Sequence, residues 1–149
     1  MSTLPKSQLE ERFSAALHAT ARAWRLGVDA KLKDLGVGQA GWMTIAVIAK
    51  STSELSQKEL ADQLGVEGPT IVSMIDRLMK TGLVLRVPSA TDRRVKLVRL
   101  TDAGLALYGK VKAEAEVFRA GLLSDIDADT LLAATAVLER LRARIEEQL

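Results

Sequence analysis

Two short amphipathic segments separated by a glycine-containing break lie between Ser56 and Gly82, and this arrangement restricts the folds open to the chain. Ser56 and Glu59 have the spacing of a capping box, which predicts the start of a helix. Pro69 is typical of the first turn of the next helix, where its missing N–H is not needed. That second helix is predicted to end at Gly82. A helix, a four-residue break with glycine and a second helix form the pattern of a helix-turn-helix motif.

The residue pattern after Gly82 changes from helical to extended. Residues 83–87 and 95–100 are rich in branched apolar side chains, which predicts two strands. The polar residues 88–94 lie between them and predict the turn of a hairpin. A hairpin that directly follows a helix-turn-helix motif is a wing.

Amphipathic helices are predicted on both sides of the motif and its wing. Residues 7–35, 102–123 and 128–149 carry apolar side chains at three- and four-residue steps, as helices with one packed face do. Residues 39–50 predict a further helix. The apolar run within them is also compatible with a buried strand, but no second strand lies nearby to pair with it.

The expected fold class is mainly α (α+β), and 149 residues fit one domain or one domain with an appended element. A winged helix-turn-helix domain is expected over residues 37–101. Residues 1–36 and 102–149 would form a helical dimerisation region. A single chain would leave the apolar faces of its terminal helices exposed, and a two-fold homodimer is the commonest way to cover such faces.

Composition excludes several classes of function. The chain has no cysteine, which removes disulfides, thiolate catalysis and cysteine-based zinc sites, and its one histidine, His18, cannot build a His-rich metal site. No Ser/His/Asp arrangement or phosphate-binding glycine loop is evident, so neither an enzyme nor a cofactor is expected. No apolar stretch approaches the roughly 20 residues of a membrane span, and no signal-type segment is evident, so a cytoplasmic protein is expected.

Lysine and arginine concentrate in the second helix of the motif and in the wing, although the whole chain is nearly balanced, with 21 basic and 19 acidic residues. A solvated charged face is the ordinary explanation of such a cluster. Here it coincides with a motif that enters DNA grooves, and cationic side chains supply the sequence-independent part of DNA affinity. A protein-interaction module without DNA contact is the alternative, and it would predict an acidic or neutral wing.

The second helix of such a motif reads bases in the major groove with its N-terminal residues. The tip of the wing would place Arg94 in the adjacent minor groove. Asp92 is expected to orient Arg94 through a charge-assisted hydrogen bond. The residues predicted to contact double-stranded DNA are Pro69, Thr70, Ser73, Met74, Arg77, Lys80, Arg86, Asp92, Arg93 and Arg94.

Several short motifs carry a family resemblance: Leu60-Ala61, residues 64–70, Ile75-Asp76-Arg77-Leu78, Gly82-Leu83-Val84, Asp92-Arg93-Arg94, and residues 100–104. On these residues the chain resembles the MarR family of winged-helix transcription regulators and, within it, the SlyA-like branch. Residues 22–25 and Trp42 also look like that branch. The similarity covers nearly the whole chain, because the flanking helices fall in the family's order.

The resemblance implies a homodimer, built by the N- and C-terminal helices, that represses or activates transcription from a pseudo-palindromic operator. Many members release DNA when a small phenolic or aromatic carboxylate binds between the dimerisation helices and the DNA-binding lobe. That position would be bordered here by Trp24, Arg25 and Trp42. Plain core packing is the alternative for the two tryptophans, and a surface or interface charge is the alternative for Arg25.

The sequence also departs from the family pattern. Ser73 lies where SlyA-like members often carry an arginine in the recognition helix, so one direct base contact is expected to be absent. The peroxide-sensing members need a reactive cysteine, which this chain lacks. The zinc-sensing members need several ligands, which His18 alone cannot supply.

Overall fold

The computed structural model describes residues 4–149, and it confirms a mainly helical fold with one small antiparallel sheet. The run within residues 39–50 that was also compatible with a strand is helical. A single 3-10 turn, Lys33–Leu35, follows the first helix. The helices are α1 (Lys6–Leu32), α2 (Gly38–Lys50), α3 (Gln57–Leu64), α4 (Gly68–Lys80), α5 (Asp102–Leu122) and α6 (Ala128–Glu146), and the strands are β1 (Leu55–Ser56), β2 (Val84–Pro88) and β3 (Lys96–Leu100).

The sheet has the order β1-β3-β2 with antiparallel pairing throughout. The predicted hairpin is present, and Arg86 on β2 lies opposite Val98 on β3. Strand β1 was not predicted from the sequence. Its two residues are too few to show a period, and it forms because Leu55 and Ser56 pair with the outer edge of β3.

The hydrophobic core lies where the helix-turn-helix motif packs on α2 and the sheet. Each of these elements contributes a side chain that is at most 2% exposed: Ile45 from α2, Leu60 from α3, Ile75 from α4, Val84 from β2 and Val98 from β3. Burial of these branched side chains packs α4 and the strands of the wing into one core. The two elements expected to meet DNA are therefore held by one core.

The chain divides into two compact units, of which the first ends at Ala115 and the second runs from Glu116 to Leu149. In the second unit, α6 begins with a cap: the Asp127 carboxylate accepts hydrogen bonds from the backbone N–H of Thr130 (2.8 Å) and from its hydroxyl (2.7 Å). Both bonds favour the charged carboxylate and lower the pKa of Asp127. Across residues 4–149, none of the helices combines the length and hydropathy that a bilayer crossing requires.

Candidate nucleic-acid interface

The second helix of the motif, α4, has one buried face and one exposed face, as its sequence period predicts. Ile71, Ile75 and Leu78 are buried in the core. The opposite face presents most of the residues that were predicted to meet DNA. Its exposed members are Pro69, Thr70, Ser73, Arg77 and Lys80.

Three residues in the local sequence set where α3 begins and ends and where α4 begins. The Ser56 hydroxyl accepts a hydrogen bond from the backbone N–H of Glu59 (3.1 Å), so the predicted cap of α3 is present. Gly65 ends α3 in the left-handed region (φ 66°), where a residue with a Cβ is disfavoured. Pro69 lies in the first turn of α4, where no intrahelical hydrogen bond is lost.

Met74 does not lie on the exposed face of α4. Its position near the helix N-terminus predicted a contact with a base, but its side chain is only 8% exposed and belongs to the hydrophobic core. Ser73 precedes it and faces solvent. One step along a helix turns a side chain by about 100°, which is enough to carry Met74 from the exposed side of α4 to the core.

Arg86 lies on β2 and donates hydrogen bonds to both helices of the motif. Its Nε donates to Oε1 of Gln57 on α3 (2.5 Å), and its Nη1 donates to Oδ1 of Asp76 on α4 (2.5 Å). Its Nη2 donates to the backbone carbonyl of Val72 (3.2 Å), and Nη1 also approaches the sulfur of Met79 (3.5 Å). The sequence predicted a DNA contact for Arg86, whereas the structure directs its guanidinium towards α3 and α4.

The wing tip carries two exposed arginines. Asp92 accepts hydrogen bonds from the backbone N–H of Arg94 (3.0 Å) and from its Nε (3.1 Å) and Nη2 (3.2 Å), so the structure contains the predicted pairing. The guanidinium of Arg94 stays accessible, with its side chain 91% exposed. Arg93 is exposed beside it, and no hydrogen bond within residues 4–149 engages its side chain.

The hydrogen bonds from Arg94 lower the pKa of Asp92, the side-chain bond contributing most and the backbone bond next. Both stabilise the ionised carboxylate. Asp76 and Asp92 are the two acidic residues within the basic cluster of α4 and the wing, and each is paired with an arginine. Their negative charge is therefore offset where DNA phosphates would approach.

A second set of contacts, not predicted from the sequence, joins the end of the wing to the end of α4. The backbone N–H of Thr101 donates to the carbonyl of Leu83 (3.0 Å), and its hydroxyl donates to the carbonyl of Gly82 (2.6 Å). That hydroxyl also accepts from the N–H of Gly104 (3.0 Å), so Thr101 caps α5. A Cβ on Gly104 would collide with the carbonyl oxygen of Leu83. Only glycine fits this approach.

The three residues predicted to border a ligand lie on or near α1 and α2. Trp24 and Trp42 are half-buried, and Nε1 of Trp42 donates to Oδ1 of Asp29 (3.2 Å). Arg25 is exposed and lines a cleft of about 380 Å³, which neither tryptophan lines. The other residues lining this cleft are His18, Ala21, Arg22, Leu26 and Gln39.

Of the two side chains that bind Arg86 through oxygen, only Asp76 carries a signal in the sequence that could have revealed the contact. Asp76 lies on a helix face that was expected to meet phosphates, where an unpaired carboxylate would repel them. Its presence there indicates that a nearby cation neutralises it. Gln57 carries no comparable signal, because a glutamine near a helix start is unremarkable.

Comparisons with known proteins agree with this fold. A model of the MarR family matches residues 35–95. The crystal structure of the transcriptional regulator PA3341 has a TM-score of 0.83 and 37% identity, over 91% of this chain and 98% of that one. A mutant of E. coli MarR complexed with operator DNA has a TM-score of 0.76 and 22% identity, over 87% and 93% of the two chains.

The structure of the transcriptional regulator SlyA has a TM-score of 0.78 and 18% identity, over 91% of this chain and 95% of that one. At their low identities, the MarR and SlyA structures establish a common fold. PA3341 has a higher sequence identity to this chain than the MarR and SlyA structures have, and the match covers nearly all of PA3341. Together with the matched family model and the winged helix-turn-helix architecture, it shows that this chain belongs to the MarR family of transcriptional regulators.

Proposed function

We propose that this chain binds a pseudo-palindromic operator in double-stranded DNA as a homodimer and represses or derepresses transcription there. Residues 37–101 would bind DNA, and residues 1–36 and 102–149 would form the dimerisation region. The observation that carries the proposal is the exposed face of α4 beside a wing tip with two accessible arginines. An α-helix fits the major groove, and a guanidinium fits the narrower minor groove next to it.

The position of each exposed residue along α4 or the wing indicates which part of the DNA it would contact. Pro69, Thr70 and Ser73 lie on the first turns of α4, where a recognition helix meets base edges. Arg77 and Lys80 lie further along the helix and would contact phosphates. Arg94, held by Asp92, would enter the minor groove, and Arg93 would contact the backbone. Met74 is left out because it is buried in the core.

Support for the homodimer comes from apolar side chains that a single chain leaves exposed. On α1, Leu9, Phe13 and Leu17 are 48%, 43% and 37% exposed, and they follow one helical face. On α6, Leu138 and Ile145 are 44% and 56% exposed. Rows of exposed apolar side chains of this kind mark an interface, and a closed two-fold arrangement is the commonest solution.

The proposed effector is a small phenolic or aromatic carboxylate that lowers operator affinity. Its support is the cleft lined by His18, Arg22 and Arg25, which would favour an anion. Trp24 and Trp42 lie on the same two helices and would report binding through their fluorescence. Salicylate is a suitable probe: it should quench tryptophan emission and weaken operator binding over one concentration range, with a coupling free energy of about 1–3 kcal/mol.

The decisive experiment selects bound duplexes from a randomised pool and measures their affinity by fluorescence anisotropy over a series of salt concentrations. The proposal expects an enriched inverted repeat and a steep loss of affinity with salt. Arg77→Ala should weaken binding, whereas Arg142→Ala, which removes an exposed arginine outside residues 37–101, should not. A protein that binds no duplex at any salt concentration would contradict the proposal.

A further inference from the structure

Arg86 has nearly all of its hydrogen-bonding capacity engaged inside the protein. A guanidinium has five N–H groups, and four of them are directed at Gln57, Asp76, Val72 and Met79. The Arg86 side chain is only 23% exposed, compared with 91% for Arg94 at the wing tip. Arg86 thus retains at most one donor, on a half-buried group, for an outside ligand.

The hydrogen-bond partners of the Arg86 guanidinium lie on α3 and α4, at positions separated from Arg86 along the chain. Gln57 lies 29 positions away at the start of α3, and Asp76 lies 10 positions away on α4. The Val72 carbonyl belongs to the middle of α4, next to the exposed Ser73. A single side chain of β2 is therefore hydrogen-bonded to both helices of the motif.

From these contacts we infer that Arg86 is a positioning residue for DNA recognition, which holds the wing at a fixed distance and angle from α4. This inference rests on the proposed DNA-binding function. Reading two adjacent grooves at once requires that Ser73 on α4 and Arg94 on the wing keep a constant separation. The apolar core contributes to that separation through contacts that are not directional. The planar fork of Arg86 adds direction, because its donors must meet their acceptors in one geometry.

The role of Asp76 follows from the same geometry. Its carboxylate is half-exposed on the DNA-facing side of α4 and is 2.5 Å from Nη1 of Arg86. Without that cation, its charge would oppose the phosphates. Arg86 therefore both orients α4 and offsets an acidic group on it. A lysine could supply the positive charge, but it could not supply the planar set of N–H donors on three nitrogen atoms.

The first experiment measures geometry without DNA. Because the chain has no cysteine, Ser73→Cys and Ala90→Cys would place one spin label on α4 and one on the wing. Distances between the labels are then measured by double electron–electron resonance, with dimer contributions removed by dilution with unlabelled protein. Arg86→Lys should broaden the distribution between the labels, whereas Arg93→Lys should leave it unchanged. An unchanged distribution in Arg86→Lys would overturn the positioning role, whether or not the protein binds DNA.

The second experiment measures recognition on a selected operator and on a scrambled duplex. Arg86→Lys should lower operator affinity about 10- to 100-fold, the scale of one lost base-reading contact. Affinity for the scrambled duplex and the salt slope should stay the same. Asp76→Asn should lower the ratio of operator affinity to scrambled-duplex affinity by a similar factor, while its lost negative charge raises both affinities equally. The double variant should lower that ratio no further than the more damaging single one, because both changes remove one interaction.

Other outcomes separate the possible failures. An equal loss on both duplexes, with a salt slope reduced by about one, would make Arg86 a direct phosphate contact. A lower melting temperature with unchanged affinity and unchanged label distances would make it a stabilising residue only. If the unsubstituted protein binds no DNA, the proposed function fails, and the recognition role of Arg86 fails with it.

Discussion

Asp92 accepts three hydrogen bonds from Arg94, one from the backbone N–H (3.0 Å) and two from the guanidinium (3.1 and 3.2 Å). The two residues are only two positions apart, so the contact depends mainly on the turn that carries them. That turn is closed by the N–H of Val95, which donates to the Asp92 carbonyl (3.0 Å). Arg94, whose side chain is 91% exposed, is therefore oriented before any partner arrives.

The two arginines of the wing tip should behave differently when each is replaced by alanine. Arg94→Ala removes the proposed minor-groove contact and should cost about 1–3 kcal/mol of operator binding per subunit. Arg93→Ala should weaken operator and random duplex equally and lower the salt slope by about one unit. Anisotropy titrations with both duplexes test this, alongside thermal unfolding. Unchanged operator affinity in a less stable Arg94→Ala would show that the pair only stabilises the hairpin.

The ionisation of Asp92 should depend on Arg94. The pKa of Asp92 is lowered by its hydrogen bonds to Arg94, so the pairing is intact at neutral pH. A carboxyl whose folded-state pKa is depressed contributes stability above its unfolded pKa and loses it as the pH falls through the folded pKa. Pairing at the wing should therefore be lost only in acid, below the usual range of aspartate.

Carboxyl-carbon NMR titration measures this directly. Arg94→Ala should raise the pKa of Asp92 towards its ordinary value. Asp127 provides an internal control in the same spectra, because Thr130 and not an arginine lowers its pKa. A pKa of Asp92 that does not move in Arg94→Ala would contradict the pairing.

Replacing Gly104 with alanine should disrupt the junction between α4, the wing and α5. The added Cβ would collide with a backbone oxygen of Leu83, which cannot move aside as a side chain could. The expected loss is about 1–3 kcal/mol of unfolding free energy, or more if the junction cannot relax. Urea unfolding measures it. Gly109→Ala on the same helix is the matched control: its added methyl group would have no atom within 4 Å, so it should stabilise the protein by about 0.5–1 kcal/mol.

The assembly should be a dimer of about twice the 16.1 kDa chain mass. Leu141 on α6 is half-buried within the single chain, and on the same helix face Leu138 and Ile145 are 44% and 56% exposed. Leu141→Glu should weaken dimerisation and operator binding together, because a buried charge at an interface is costly. Sedimentation equilibrium tests this, and Gln148→Glu controls for the added charge. A monomeric wild-type protein at micromolar concentration would rule out the proposed assembly.

Features that depend on neighbours along the chain were predictable from the sequence. Ser56 caps α3, Gly65 ends it and Pro69 begins α4, and each of these signals acts over a few residues. The pairing of Asp92 with Arg94 belongs to the same class. Because such signals are short, the order of the elements and the helix-turn-helix motif with its wing follow from the residues alone.

Features that depend on how elements pack could not be predicted in this way. Strand β1 exists only because β3 offers it an edge, and Met74 faces the core because α4 packs on α2 with one particular rotation. In the sequence, Arg86 is one more member of a basic cluster. Its partners Gln57 and Asp76 lie 29 and 10 positions away. The sequence by itself determined which residues could form a basic surface on the motif and its wing, since composition and local spacing set charge and periodicity. Only the tertiary structure decided which of those cations face outward and which hold the surface in place, because that depends on the packing of β2 against α3 and α4 around a shared core.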